Sequence, residues 1–148
     1  MTNKADKKRE NIVRKLGTGL LVAGLFVAGA GTSVAASWHS IPKLTTSGAE
    51  FHSGKYTFWP AGQNHGAFQW SGTLKDADHR DGHNVYMQVK VEGYGWSRYN
   101  GKQKESVSLS KLNWDGAARY TNNAYIRVCR DKGSFNPDNC SPTKHYRR

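Results

Sequence analysis

The stretch NVYMQVKVEGYGW, residues Asn84–Trp96, decides the fold that the sequence predicts. Its apolar side chains recur at every second position: Val85, Met87, Val89 and Val91. Because successive side chains of a β-strand point to opposite faces, this alternation predicts a strand with an apolar inner face and a polar outer face. Turn-forming glycines flank the run on both sides. We expect the rest of the domain to be organised around this strand.

Several other short segments have the composition of strands, and no segment has the pattern of an amphipathic helix. Such segments, separated by turns, predict an all-β domain over residues 51–148, a small antiparallel β-sandwich or barrel-like domain with one disulfide. In the segment Gly66–Leu74, Gly72 interrupts the alternation and suggests a bulge. The segments lie at Phe51–Pro60, Gly66–Leu74, Ser106–Ser110 and Ala124–Cys129.

The two ends of this domain are less regular. Residues 37–50 lack a clear periodicity and predict an extended N-terminal arm or a loosely packed first strand. Ser141–Arg148 is a basic tail that we expect to be frayed, as chain ends often are. Between the last two strands, Lys111–Tyr120 fits either one helical turn or a loop anchored by Leu112 and Trp114.

The first 36 residues predict a secretory signal peptide. Met1–Lys15 is basic, Gly17–Gly31 is uncharged and mostly apolar, and Ser33–Ala36 offers the small residues that a signal peptidase requires. An uncleaved anchor is the alternative, but a membrane-spanning helix needs about 20 apolar residues and this run is shorter and rich in glycine. We therefore expect cleavage near Ala36, a secreted extracellular chain, and no stable membrane insertion after cleavage.

The charge of the mature chain indicates which partners suit it. Ser37–Arg148 contains 16 Lys and Arg residues against 9 Asp and Glu residues. A basic exported protein favours anionic surroundings such as wall polymers, acidic lipids, nucleic acid or acidic proteins. The charges are scattered along the sequence, so solubility alone is the other explanation. Export disfavours nucleic acid as the primary partner.

Cys129 and Cys140 are the only cysteines of the chain. Export leads to an oxidising compartment, so we expect them to form a disulfide that staples the loop between them. A bridge around so short a loop contributes about 3 kcal/mol in the chain-entropy estimate. Two isolated cysteines are a poor metal site.

A polar turn before the central strand holds the candidate metal ligands. Asp76, Asp78 and Asp81 lie within six residues, and clustered carboxylates on a loop suit a hard cation such as calcium. The spacing is not that of an EF-hand, and the alternative is a turn whose Asp side chains accept backbone N–H groups. His79 and His83 bracket Asp81 and suit a transition metal or a proton relay, with exposed turn histidines as the alternative.

Aromatic residues after the central strand are the candidate binding residues. Tyr94, Trp96 and Tyr99 surround flexible glycines, and together they could form a stacking platform for a sugar or a protein partner. Arg98 beside them could add a cation–π or anion contact. The alternative places Trp96 at the bottom of the core. Trp38, outside the clear strands, is a further candidate contact.

No catalytic motif stands out in the sequence. There is no G-x-S-x-G, and a small hydrolase would have to use Glu92, Arg127 and His83, which nothing in their spacing supports.

Two short motifs carry a resemblance. The pattern L-K-D-x-D-x-x-D-G-x-x-V at Leu74–Val85 is followed by R-V-C at Arg127–Cys129 and a second cysteine. Over about residues 74–140 the chain resembles small secreted proteins of actinobacteria, single β-rich domains of unknown function. The resemblance implies export, one disulfide and a compact β-domain, and it carries no catalytic residues.

The sequence thus predicts a secreted, non-catalytic binding domain that contacts a cell-wall or extracellular glycan, or a secreted protein partner, through exposed aromatic residues. The first alternative is a subunit of a secreted toxin or antagonism complex, in which residues 37–50 dock into a partner by strand addition. The second alternative is a small secreted hydrolase.

Overall fold

The computed structural model describes residues 36–148, so the signal peptide expected at the start of the chain lies outside the described residues except for Ala36. The described chain is all-β, with two antiparallel sheets and one disulfide, as predicted. A single 3-10 turn, Asn64–Gly66, interrupts the strands. The strands are β1 (His39–Ile41), β2 (Leu44–Thr46), β3 (Ala49–Phe58), β4 (Phe68–Asp76), β5 (Val85–Val91), β6 (Ser97–Asn100), β7 (Ser106–Asn113), β8 (Asn123–Arg130), β9 (Asn139–Cys140) and β10 (Lys144–Arg147).

The two sheets stack face to face. Sheet A has the order β1–β3–β4–β7, and β2 pairs with β3 beyond the end of β1. Sheet B has the order β10–β8–β5–β6, and β9 pairs with the far end of β8. Strand β4 packs across β5, and β3 packs across β8. The edge strands β6 and β7 therefore lie on the same side of the sandwich.

The central strand behaves as its sequence predicts. The inward side chains of β5, Val85, Met87, Val89 and Val91, are between 0 and 3 % exposed. The facing side chains of sheet A are larger, and Trp70 is fully buried. Each buried side chain of this size stabilises the fold by about 1.5–3 kcal/mol, so this contact between the sheets contributes strongly to the stability of the domain.

An irregularity in sheet A makes room for a core aromatic ring. The pairing of β3 with β4 shifts between His52 and Lys55, and Ser53 between them has a left-handed φ of 52°. Opposite this bulge, a Cβ added to Gly72 would lie 2.3 Å from Cζ of Phe51. The bulge thus lies in β3 rather than at Gly72, where the sequence suggested it, and the glycine admits the Phe51 ring.

The segment expected to be an N-terminal arm is part of sheet A. Strand β1 pairs with residues 54–56 and β2 pairs with residues 49–51. Ile41 and Leu44 are 4 % and 3 % exposed and join the core. Of the two forms that the sequence allowed, the paired strand is the one observed, and it is firmly packed.

The basic C-terminal segment is also ordered, so the expectation of a frayed tail was wrong. Strand β10 pairs with β8 from Lys144 to Arg147. Tyr146 packs on the core beside Tyr56, with ring centroids 4.2 Å apart. Burial raises the pKa of Tyr146 to about 12.

The predicted disulfide is confirmed. Cys129 of β8 and Cys140 of β9 are direct partners in the antiparallel ladder, with Cα atoms 4.0 Å apart. Next to them, the Ser141 backbone N–H donates to the Val128 carbonyl at 2.8 Å. The bridge thus fixes the short strand β9 at the edge of sheet B.

The free edge of sheet A is long and regular. Strand β7 forms eight consecutive residue pairs with β4, and within residues 36–148 no strand pairs with its other side. Serines alternate with apolar residues along most of β7, and Lys111 is its single charged residue.

Among residues 36–148, no helix has the length and apolar character needed to cross a membrane.

Candidate functional site

The aromatic cluster expected to form one platform is divided between two faces of the molecule. Strand β6 pairs Arg98 with Gln88 and Tyr99 with Met87. Because Met87 points into the core, Tyr99 points inward, and its ring meets Trp70 edge to face at 5.4 Å. Trp96 and Arg98 have the opposite parity and lie on the outer face of sheet B.

Tyr94 and Tyr99 line a groove at the open side of the sandwich. We call it the edge groove. It has a volume of 340 Å³ and lies between the β6 side of sheet B and the end of β7. Three of its side chains are large, apolar and exposed: Tyr94 at 52 %, Trp114 at 43 % and Leu112 at 38 %. The residues that line it are Tyr94, Ser97, Tyr99, Leu112, Asn113 and Trp114.

A buried hydrogen-bond chain supports the floor of the edge groove. The Trp70 Nε1–H donates to Oδ1 of Asn113 at 3.0 Å, and Nδ2 of Asn113 donates to the Tyr99 hydroxyl oxygen at 2.7 Å. These bonds satisfy polar groups that would otherwise be buried without partners, which is costly. They also hold Asn113 and Tyr99 in fixed orientations beneath the exposed rings.

A strained turn supports Trp114. The His65 imidazole stacks on the Trp114 indole with centroids 4.8 Å apart and an interplanar angle of 15°. Asn64 and His65 have left-handed φ values of 44° and 58°, which non-glycine residues adopt only at a cost of about 1–3 kcal/mol each. This strained conformation holds the His65 imidazole against one face of the Trp114 indole.

Arg148 anchors the same turn. Its guanidinium donates to the carbonyl oxygens of Trp59 at 2.8 Å, Gly66 at 3.0 Å and Thr121 at 3.0 Å. The guanidinium also lies 4.8 Å from the centroid of the Tyr120 ring. Burial lowers the pKa of Arg148. This side chain ties the turn before β4 to the loop before β8.

The loop after Trp114 is tied to Tyr94. The Gly116 backbone N–H donates to the Tyr94 hydroxyl at 3.1 Å. The Ala117 N–H donates to Oδ1 of Asp115 at 2.9 Å, which closes a turn. The segment 111–120 therefore contains the end of β7 and an anchored loop rather than a helical turn.

The outer face of sheet B is a second feature, which we call the cation–aromatic face. Arg127 lies 4.4 Å and Lys90 lies 5.3 Å from the ring centroid of Trp96. Lys90 also lies 4.9 Å from the Tyr125 ring, on which His145 stacks at 4.4 Å. Register explains these contacts, because β5 pairs Lys90 with Tyr125.

Arg98 is committed to structural contacts on the same face. Its guanidinium lies 3.7 Å from the Tyr86 ring centroid and pairs with Asp131 at 2.5 Å. The hydrogen bond from Arg98 lowers the pKa of Asp131, with a further contribution from the Gly133 N–H. Burial, followed by the hydrogen bond to Asp138, raises the pKa of Tyr86 to about 12.

Trp38 belongs neither to the edge groove nor to the cation–aromatic face. It precedes β1 and is 42 % exposed, with the Lys55 ammonium 4.9 Å from its ring centroid. A concavity of 440 Å³ opens beside it between β1 and β10, lined in part by Ala36 and Ser37. Because these two residues adjoin the undescribed part of the chain, we assign no site there.

The three aspartates proposed for calcium act as turn caps. Asp76 is fully buried, and its two oxygens accept the N–H groups of Asp78 at 3.0 Å and Lys104 at 2.6 Å. Asp81 accepts the His83 N–H at 2.8 Å and pairs with Arg130 at 2.6 Å. Over residues 36–148, no three His, Cys, Asp or Glu side chains are grouped so that they could hold a metal ion.

The residues proposed for a hydrolase do not converge. His83 precedes β5 and Glu92 follows it, so a strand rising about 3.3 Å per residue separates them by roughly 30 Å. Both carboxylate oxygens of Glu92 accept backbone N–H groups, from Asn122 and, at 2.6 Å, from Asn123. Arg127 belongs to the cation–aromatic face.

Strand addition by residues 37–50 would require this segment to leave its own sheet. Ile41 and Leu44 would then leave the core. The complex-subunit alternative thus loses the free arm on which it depended.

Sequence reasoning did not assign binding roles to several residues of these two features. Leu112 and Trp114 were predicted only to anchor a loop. The sequence pattern placed Lys90 and Tyr125 only at outward-facing positions of their strands. The residues in question are Lys90, Leu112, Trp114, Tyr125 and His145.

Comparison with protein-family models, with curated proteins and with solved structures finds no match for this chain.

Proposed function

We propose that this chain is an exported, non-catalytic binding domain that takes an extracellular glycan in the edge groove. The disulfide is what an oxidising compartment favours, and the basic and apolar leader sequence agrees with export. The ligand is recognised by aromatic contact and a few polar groups.

One observation carries this proposal: Tyr94, Leu112 and Trp114 are large, exposed and gathered around a single concavity. Exposed apolar side chains that cluster in this way mark interaction sites more often than isolated ones do. Ligand sites combine apolar and aromatic walls with a few fixed polar groups, which Ser97 and Asn113 supply here.

The size of the groove favours a glycan over a protein partner. A volume of 340 Å³ lies at the small end of ligand pockets, which span about 300–1,000 Å³. A stable protein partner buries about 1,200–2,000 Å² in total, so it would also have to contact surface beyond the groove. A sugar ring, with an apolar face and hydroxyl edges, suits an indole beside an amide.

The construction of the groove also supports binding. His65 covers one face of the Trp114 indole, and the residue is still 43 % exposed and open to contact. The strained turn and the Tyr94–Gly116 hydrogen bond hold the walls in place before any ligand arrives. Such preorganisation reduces the entropy cost of binding.

Binding to insoluble glycans tests the proposal. Purified protein is mixed with peptidoglycan, chitin or cellulose, and the fraction left in solution gives the affinity. Trp114→Ala should weaken binding by roughly thirtyfold, as expected for an anchor residue worth about 2 kcal/mol. Tyr94→Ala should weaken it less, because its ring lies at the rim.

Trp96→Ala is the matched control, since it removes the same side chain from the cation–aromatic face. It should bind chitin and cellulose, which carry no acidic groups, as the parent protein does. Equal losses for Trp96→Ala and Trp114→Ala, or no loss for Trp114→Ala, would contradict a site in the edge groove.

A further inference from the structure

The strands of sheet B carry positive charge and no compensating negative charge. Within the described chain, β5, β6, β8, β9 and β10 contain no Asp or Glu. Their basic residues are Lys90, Arg98, Arg127, Arg130, Lys144 and Arg147. The chain's positive charge is scattered along the sequence, but folding gathers much of it on one sheet.

Two of these cations stand on the cation–aromatic face without an acidic partner. Arg98 and Arg130 form ion pairs with Asp131 and Asp81. Among residues 36–148, neither Lys90 nor Arg127 pairs with a carboxylate. Each lies instead against an aromatic ring, which holds the side chain in place without neutralising its charge.

The rings of this face are covered by those same cations and by an imidazole. Trp96 meets Arg127 and Lys90, and Tyr125 meets Lys90 and His145. The Trp96 ring is partly buried. The face therefore presents ammonium and guanidinium groups that lie over aromatic rings, rather than the open faces of the rings themselves.

We infer that the cation–aromatic face is a second binding site, and that its ligand is an acidic polysaccharide. Anionic groups spaced along such a chain would meet Lys90 and Arg127, which lie on neighbouring strands near Trp96. The sheet supplies a broad surface for an extended polymer. This inference is independent of the edge groove, which uses different residues.

The coverage of the rings favours a polysaccharide over single-stranded nucleic acid. Proteins that bind single strands stack bases on exposed aromatic faces, each worth about 1–3 kcal/mol. Here the cations occupy ring faces that the bases would need. A polymer that is bound only through its charge needs no open ring face, so this arrangement does not weaken its binding.

Binding to polygalacturonate, a polymer of uronic acids, tests the inference, and its methyl ester serves as the uncharged polymer. The double variant Lys90→Gln/Arg127→Gln should bind polygalacturonate roughly thirtyfold more weakly, because it removes two cations that would meet the carboxylates of the polymer. The slope of log affinity against log salt should also become shallower, by roughly one for each charge removed. The parent protein should not bind the ester.

The matched control is Lys55→Gln/Lys75→Gln, which removes two charges from the outer face of sheet A. Its affinity should stay within about twofold of the parent, since its charges lie on the other sheet. Arg127→Lys keeps the charge and should retain most of the affinity even if the double variant fails to fold. Trp114→Ala should not change polygalacturonate binding, which separates this site from the edge groove.

Equal losses of affinity in the two double variants would overturn the inference. Binding would then depend on the net charge of the protein and not on this face. Retention of the methyl ester would overturn the inference as well. A preference for a thymidine oligonucleotide over polygalacturonate, abolished by Trp96→Ala, would assign the face to nucleic acid instead.

Discussion

The outer faces of the two sheets differ although both sheets contribute equally buried residues to the core. On sheet A, small hydroxyl residues oppose each other, Ser71 with Ser110 and Thr73 with Ser108. On sheet B, the corresponding rows pair Lys90 with Tyr125 and Gln88 with Arg127. Inward positions are constrained by packing, whereas outward positions are free to diverge. The two outer faces therefore differ in chemistry, with paired hydroxyl groups on sheet A and with cations beside aromatic rings on sheet B.

Among residues 36–148 only sheet B contains a disulfide, and its removal should have the largest effect on stability. Cys129→Ala/Cys140→Ala should lower the free energy of unfolding by about 3 kcal/mol, because the short strand β9 loses its covalent link. Urea denaturation measures the loss. The parent protein unfolded with a reductant should reproduce it. A change below about 1 kcal/mol would mean that the ladder holds β9 without the bridge.

The bulge in β3 of sheet A, which lies opposite Gly72, offers the next test. Gly72→Val should cost about 2 kcal/mol, because its Cβ would collide with the buried Phe51 ring. Thr73→Val, on the outward side of the same strand, is the control and should be close to neutral. Both are measured by chemical denaturation. Similar costs at the two positions would show that the ring can move away.

Replacing one outward side chain on each sheet tests the difference between the two outer faces directly. Trp96→Ala should cost about 1 kcal/mol, because it removes contacts with Lys90 and Arg127. Ser108→Ala on sheet A should change stability by less than about 0.5 kcal/mol. Thermal unfolding measures both. A loss above about 3 kcal/mol for Trp96→Ala would place its ring in the core, as the alternative interpretation of the sequence had it.

The smallest effect is a titration. Tyr86 on sheet B and Tyr146 in the core have pKa values raised from 10.0 to about 12. Since folding favours their neutral forms, their contribution to stability is fully present below pH 10 and is lost as the pH rises through 12. Phenolate absorbance should show two late tyrosines, and Tyr86→Phe should remove one. An unchanged late step in that variant would contradict the assignment.

The sequence predicted the parts of the fold that have local signals. The alternation in Val85–Val91 identified β5, and two cysteines identified the bridge. Strands β6 and β10, of four residues each, have too few positions to show a period of two. They form because a neighbouring strand offers a ladder, which is a property of the tertiary structure.

The candidate site was predictable only in part. Tyr94 and Tyr99 were found because aromatic residues cluster in the sequence, but Trp114 reaches them from the other sheet. Lys90 and Arg127 meet at Trp96 because of the antiparallel register of β5 with β8. A register between distant segments depends on the core and on the pairing of whole strands, so no local pattern reveals it.

The free edge of β7 has a consequence for how the protein behaves when concentrated. Eight regularly paired residues without a bulge leave a row of unpaired backbone groups, on which another chain can extend the sheet. Small serines do not obstruct such an approach. Lys111 is then the residue that opposes it, because two copies joined in antiparallel fashion would each have to bury or displace a positive charge. The described edge of β7 is thus a place where two copies can associate, and Lys111 opposes that association.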